Sequence, residues 1–248
     1  MDVSQTAIIT GAGSGIGRAV AIELASRGFD LALAGRRLET LEETASLCSS
    51  DALLQTVDVT RADQVEALFA VARSRWPRLD LLFNNAGTNI PARPFFEQSP
   101  AELSDVVATN LIGAMLCARE AFGWMAQQAP AGGRIINNGS VSAHSPRPLS
   151  PAYTAAKHGV TGLTKSLNLD GWRHGISCCQ IDIGNAATER TDRMEVGILQ
   201  ANGSIGTEPR IDVDVVARQI AQMAVLPSDV VIPFITIMPL GMPLYGRG

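Results

Sequence analysis

Ser140, Tyr153 and Lys157 have the types and spacing to move a proton on or off an oxygen. The segment from Ser140 to Lys157 reads SVSAHSPRPLSPAYTAAK: the tyrosine lies thirteen positions after the serine, the lysine four beyond it. On a helix, a spacing of four puts Tyr153 and Lys157 on one face, about 6 Å apart along the axis. An ammonium held near a phenol favours the phenolate, so such a tyrosine can give or take a proton. A serine hydroxyl alongside can hydrogen-bond the oxygen concerned. The chemistry is proton exchange at a carbonyl or alcohol oxygen. Ser142 competes with Ser140, and the spacing to Tyr153 favours Ser140.

A frame of alternating strands and helices must hold these groups. Short apolar runs predict strands at Ala7–Thr10, Leu31–Ala34, Leu53–Val57, Leu79–Phe83, Arg134–Asn137, Ile176–Ile183 and Val230–Ile237. Pro233 inside the last run predicts an edge strand. Amphipathic stretches predict helices over Ile16–Arg27, Leu38–Leu47, Asp63–Arg75, Glu102 to about Gln128, Tyr153–Arg173 and Val215–Val225. Ser99-Pro100-Ala101-Glu102 is a helix opening, with Ser as cap, Pro at the first position and an acid at the third. Asp212 or Asp214 can cap the last helix. Strands alternating with helices imply a parallel sheet covered on both faces. The expected fold is α/β: one doubly wound, Rossmann-like domain over residues 1–248, with a mainly seven-stranded parallel sheet. Residues 188–210 are expected to form a substrate loop, in which Met194, Ile198 and Leu199 can act as a lid.

The first strand runs into Thr10-Gly11-Ala12-Gly13-Ser14-Gly15-Ile16-Gly17 and then a helix. Such a turn lets backbone N–H groups approach a pyrophosphate, whose charge a helix N-terminus favours. The glycines follow G-x-x-x-G-x-G at Gly11, Gly15 and Gly17, with Ser14 and Ile16 between them. At the end of the second strand, where an NAD-binding chain places an acid, this sequence has Ala34-Gly35-Arg36-Arg37. A carboxylate would repel a 2′-phosphate, whereas an arginine fork pairs with it. One charge-assisted contact of about 1.5–3 kcal/mol means roughly a 10- to 100-fold preference. The expected cofactor is therefore NADP(H) rather than NAD(H), with Arg36 as leading contact and Arg37 second. Asp58, followed by Val59, can accept from the adenine amino group.

Composition excludes other classes. The chain has 248 residues, 46% hydrophobic and 18% charged, with a net charge of −4. That describes a compact globule, and its negative charge argues against a nucleic-acid partner. The four cysteines and three histidines have no metal-ligand spacing, so no metal is expected. Cys48, Cys117, Cys178 and Cys179 read as buried thiols. The opening MDVSQTAIIT lacks a signal-like pattern, and no uninterrupted run of about 20 apolar residues suggests a membrane span. A cytoplasmic location is expected.

Taken together these residues resemble the short-chain dehydrogenase/reductase family over nearly the whole chain. The resemblance rests on the loop Thr10–Gly17, on Asn84-Asn85-Ala86-Gly87 after the fourth strand, on Asn110 with Gly113, and on Ser140, Tyr153 and Lys157. It implies a catalytic tetrad. Tyr153 would be the general acid or base, with Lys157 holding the nicotinamide ribose, Ser140 polarising the substrate oxygen and Asn110 supporting a water relay. It implies that Asn85, Ala86 and Gly87 line the cofactor, and that Gly184 and Thr188 lie beside the nicotinamide. It also implies a homodimer or homotetramer, whose partner subunit would cover the apolar Val230–Leu240 run. One departure is Ile183-Gly184, where the family usually has Pro-Gly; isoleucine keeps an N–H that proline lacks. The expected function is interconversion of a small alcohol and its carbonyl by hydride transfer. The alternatives are a nucleotide sensor without turnover, or an epimerase or dehydratase on the same fold. His144, in the loop between Ser140 and Tyr153, can line the substrate pocket or face solvent. Pro91, Phe95, Phe96 and Leu149 lean towards an apolar substrate.

Overall fold

The structure is a computed structural model that describes residues 4–49 and 51–244; the remaining ends of the expected domain lie outside the described residues. The first half comprises β1 (Thr6–Thr10), α1 (Gly15–Ser26), β2 (Asp30–Gly35), α2 (Leu38–Ser46), β3 (Leu53–Thr56), α3 (Ala62–Arg75) and β4 (Leu81–Asn84). The second comprises α4 (Pro100–Val107), α5 (Gly113–Gln127), β5 (Gly133–Asn138), α6 (Pro151–Gly171), β6 (Ile176–Ile183), α7 (Arg193–Val196), β7 (Ile198–Leu199), β8 (Ile205–Gly206), α8 (Val213–Ala224) and β9 (Phe234–Ile237). Seven strands form one sheet in the order β3-β2-β1-β4-β5-β6-β9, and every pairing is parallel. The order reverses between β1 and β4, and the crevice at that switch point is where such sheets take ligands.

Both faces of the sheet are buried, which is why its strands read as apolar runs rather than alternating ones. On one face Ile9, Leu33, Phe83 and Cys179 pack with Val20 and Leu24 of α1 and Ile220 of α8. On the other Ile8, Leu82, Ile135 and Cys178 pack with Leu68 and Phe69 of α3 and Ala121 and Trp124 of α5. The adjacent cysteines thus serve opposite cores, as a two-residue period requires. Burial pushes the Cys117 thiol up to about 12 and raises Cys178 and Cys179 as well. These three are packing residues, protonated at neutral pH.

Most element ends fall within two residues of the sequence reading, and three differences have an identifiable cause. β4 begins at Leu81, because the Leu79 N–H is taken by Gln128 Oε1 (2.8 Å). β9 begins after Pro233, whose carbonyl still accepts from the Gln180 N–H (2.9 Å). The long helix opens as predicted, on a Ser99–Glu102 capping box, but a π turn at Ala108–Ile112 divides it into α4 and α5. Asn110 Nδ2 donates to the Val106 carbonyl (2.8 Å), the acceptor that an α-helical residue 110 would use for its own N–H. By length and composition alone Pro100–Gln127 could cross a membrane. Here its Cys117, Ala118, Ala121, Trp124 and Met125 side chains are buried in the core.

Candidate active site

The carboxyl ends of the strands open into a cleft of about 1540 Å³ that reaches from the glycine loop to the Ser140–Tyr153 segment. At one end the chain turns sharply from β1 into α1. Gly11 and Gly15 take positive φ of 65° and 51°. No side chain caps α1, and its first turn holds no acid. Those N-terminal amides are therefore available to an anion. Gly11, Ser14, Gly15 and Ile16 line the cleft. Gly17, the last glycine of the motif, lies apart from these lining residues. It is buried behind the loop, where a Cβ would lie 2.2 Å from the Gly11 carbonyl oxygen and 2.6 Å from Asn85 Nδ2.

Asn85 braces this loop. Its Nδ2 donates to the Thr10 and Gly11 carbonyls (3.0 and 3.2 Å), while Thr10 Oγ1 accepts from the Asn85 and Ala86 amides (2.9 and 3.0 Å). Asn85 Oδ1 in turn accepts from Asn138 Nδ2 (2.8 Å), and the Asn138 carbonyl accepts from Lys157 Nζ (2.7 Å). A continuous chain thus joins Lys157 to the glycine loop. Asn138 was not singled out from sequence, although the Asn137-Asn138 pair ending an apolar strand was a signal.

Arg36, Arg37, Asp58 and Val59 line the cleft beside the end of β2. Both arginines are exposed, and neither is in an ion pair among the described residues. Asp58 Oδ1 accepts from the Thr60 amide and hydroxyl (3.0 and 2.8 Å). Those bonds, with smaller help from the Arg36 charge, hold the Asp58 carboxyl below its ordinary value.

The other end of the cleft gathers Asn110, Ser140, Tyr153 and Lys157. Tyr153 and Lys157 lie one turn apart on α6, with the buried ammonium 5.5 Å from the phenol ring centre. Ser140 ends the strand-to-turn path from β5, and its Oγ accepts from the Ser142 N–H (3.1 Å), leaving its proton to donate. Asn110 donates through Nδ2 to Thr88 and Val106 (both 2.8 Å), while its Oδ1 is buried without a hydrogen-bond partner among the described residues. The π turn sets that orientation. Gly113, three residues on, lets α5 press against Val59: a Cβ there would lie 2.6 Å from Val59 Cγ2. Ser142 also lines the cleft.

Ala86, Gly87, Gly184 and Thr188 complete the wall between the two ends. Ile183, where the family has proline, is the last residue of β6, in register with Ile237, so the turn starts only at Gly184. Residues 188–210 are not a bare loop: they form α7 and the β7–β8 hairpin. Met194 reaches the cleft, whereas Ile198 and Leu199 lie in the hairpin. Leu149 lines the cleft at a positive φ of 63°, but Phe95 and Phe96 are exposed and outside it. His144 does not line it either, and pairs with Asp182 instead.

A clasp that sequence reasoning missed ties three segments together. The Arg147 guanidinium donates to Glu208 Oε1 and to Asn185 Oδ1 (both 2.8 Å), and Asn185 Nδ2 donates to Glu208 Oε2 (2.8 Å). Burial pushes the Glu208 carboxyl up, but the Arg147 and Asn185 bonds outweigh it and hold the group below its ordinary value.

A sheet of order 3-2-1-4-5-6-9 carries a glycine turn at an uncapped helix end and a Ser-Tyr-Lys-Asn cluster in one cleft, and residues 5–196 match the family described as short chain dehydrogenase. The chain belongs to the short-chain dehydrogenase/reductase family. Among relatives of this dehydrogenase, the short chain dehydrogenase/reductase astE of Aspergillus oryzae is 36% identical over 204 residues, 80% of this chain and 78% of its own. The 3beta-hydroxysteroid dehydrogenase of Mediterraneibacter gnavus is 34% identical over 77% of this chain and 69% of its own. Among solved structures, levodione reductase superposes with a TM-score of 0.82 at 28% identity, covering 94% of this chain and 95% of that one. An actinorhodin polyketide ketoreductase with NADPH gives 0.84 at 27% identity, covering 95% and 96%.

Proposed function

We propose that this short-chain dehydrogenase/reductase interconverts an alcohol and its carbonyl, using NADP(H). The observation that carries the reading is the single cleft joining Tyr153, Lys157, Ser140 and Asn110 to the uncapped helix end and to Arg36. The cradle fits a dinucleotide: Gly11 and Gly15 line the cleft at positive φ, and the uncapped start of α1 leaves its amides available to a pyrophosphate. The nicotinamide, when bound, supplies or accepts the hydride.

In reduction, Tyr153 gives its proton to the carbonyl oxygen; in oxidation it takes the proton back. Lys157, fixed by the Asn138 carbonyl, keeps a positive charge beside the phenol and stabilises the phenolate left behind. The Ser140 hydroxyl, whose oxygen already accepts from Ser142, donates to the same substrate oxygen. Asn110 Oδ1, buried with no hydrogen bond among the described residues, is free to accept from a water that would return protons to Lys157. Ile90, Leu149 and Met194 give the substrate end an apolar wall, which suits a small apolar ketone or secondary alcohol. The names of the relatives, hydroxysteroid dehydrogenase and levodione reductase among them, support the reaction class.

The preference for NADP(H) rests on Arg36. Titration with NADPH and NADH, followed by nicotinamide fluorescence, tests it. Arg36→Ala is expected to weaken NADPH by about 10- to 100-fold and leave NADH within about twofold; equal losses would refute the assignment. Tight binding without turnover on a carbonyl and alcohol panel would favour a sensor instead. We also propose a homodimer or homotetramer, because Val230, Val231, Phe234 and Leu240 at the β9 edge are exposed. A monomer by light scattering at micromolar concentration would overturn that.

A further inference from the structure

A carboxylate stands behind Ser140, and nothing in the mechanism above uses it. Asp182 is the penultimate residue of β6 and is 0% exposed. Its Oδ1 accepts from the Ser140 N–H (2.9 Å) and from Gln180 Nε2 (2.7 Å). Its Oδ2 lies 2.7 Å from His144 Nε2. Ser140 opens the short 3-10 turn Val141–Ala143, and His144 closes it. One buried carboxylate therefore grips both ends of the turn that presents the serine. The fit is tight: a Cβ on Gly139 would lie 2.0 Å from Asp182 Oδ1. Gly139 is thus dictated by the carboxylate beneath it, not by a positive φ.

A neutral carbonyl would satisfy the Ser140 amide at less cost, since a buried carboxylate loses its hydration. What the carboxylate adds is a second oxygen that reaches the far end of the turn. We propose that Asp182, with His144, is a positioning residue: it fixes the Ser140–His144 turn so that the Ser140 hydroxyl meets the substrate oxygen. This rests on the oxidoreductase reading of Ser140. Asp182 touches neither substrate nor cofactor and acts through the serine backbone.

The test compares Asp182→Ala, Asp182→Asn and His144→Ala with the wild-type enzyme and with Ser140→Ala. Asp182→Ala should lower kcat by about 10- to 100-fold, the scale of a misplaced reacting group, and keep NADPH affinity within about twofold. Asp182→Asn retains an acceptor for the Ser140 amide and should recover most of the loss. His144→Ala frees one end of the turn and should lower kcat about three- to tenfold, short of the full misplacement effect. In a Ser140→Ala background neither change should cost anything further. Losses that multiply with Ser140→Ala, or that fall equally on NADPH binding, would overturn the proposal. Should Asp182→Ala not fold, His144→Ala decides, and unchanged kcat there refutes the clamp. Hydrogen exchange at the Ser140 amide reads the contact independently of any substrate. Protection in the wild type and in Asp182→Asn is expected, and rapid exchange in the wild type would contradict the proposal. If Ser140→Ala turns over normally, the oxidoreductase reading of Ser140 fails while the exchange result still reports on Asp182.

Discussion

Replacing Glu208 by leucine should destabilise the fold far more than replacing it by glutamine, and removing Arg147 at the same time should restore most of the loss. Glu208 is 4% exposed and the Arg147 side chain 14%. Leucine leaves the guanidinium with Asn185 as its remaining clasp partner. Breaking a buried pair from one side costs about 3–5 kcal/mol; with Arg147 still partly hydrated the lower end applies, about 3 kcal/mol. For a chain of this size that is roughly 6–12 °C in melting temperature. Glutamine keeps one acceptor oxygen and puts an NH2 where the other oxygen accepted, so it should cost about 1–2 kcal/mol. The double variant Arg147→Met with Glu208→Leu removes both charges and should fall within about 1 kcal/mol of wild type. Urea unfolding of the four proteins measures this. The sign with pH follows from the lowered Glu208 carboxyl. The contribution of the clasp is complete above the ordinary glutamate value of 4.5 and disappears as pH falls through the lower folded value. A loss below about 0.5 kcal/mol for Glu208→Leu, or a double variant worse than either single one, would refute the reasoning.

Three further outcomes follow from the same geometry. Gly17→Ala forces a methyl to 2.2 Å from the Gly11 carbonyl oxygen, so it should cost about 1–3 kcal/mol of stability and abolish tight nucleotide binding; a normal titration curve would count against the packing described. Thr60→Val removes one of the bonds that hold Asp58 low. The Asp58 contribution, present above the ordinary value of 3.8 and lost as pH falls below it, should then fade at higher pH in acid unfolding. Gly139→Ala should lower kcat as Asp182→Ala does, because the methyl would lie 2.0 Å from the carboxylate; retention of full activity would show that the turn tolerates the shift.

Much of the frame was legible because its signals are local. The apolar runs of β1, β2 and β6, and the Ser99-Pro100-Glu102 opening of α4, each declare themselves within a few residues. The positions of Tyr153 and Lys157 on one face follow from helical spacing alone. The break at Asn110 was not legible, because it depends on a side chain outcompeting its own backbone for Val106. The Arg147–Asn185–Glu208 clasp joins segments up to 61 residues apart, and nothing in one sequence pairs them. Asp182 did leave a trace: Gln180 and Asp182 are two polar residues at a period of two inside an apolar strand, which marks one polar patch on one face. The packing role of Gly17 was not legible, because a glycine that permits packing and one that admits a ligand look alike in sequence.

The central claim is that Tyr153 exchanges the proton while NADP(H) exchanges the hydride. The most direct measurement follows nicotinamide absorbance with a carbonyl panel for the wild-type enzyme and for Tyr153→Phe, alongside NADPH titration of both. NADPH should be consumed one for one with carbonyl by the wild type. The variant should lose about 10²- to 10⁴-fold in turnover, with NADPH binding kept. Turnover by Tyr153→Phe at the wild-type rate would contradict the central claim.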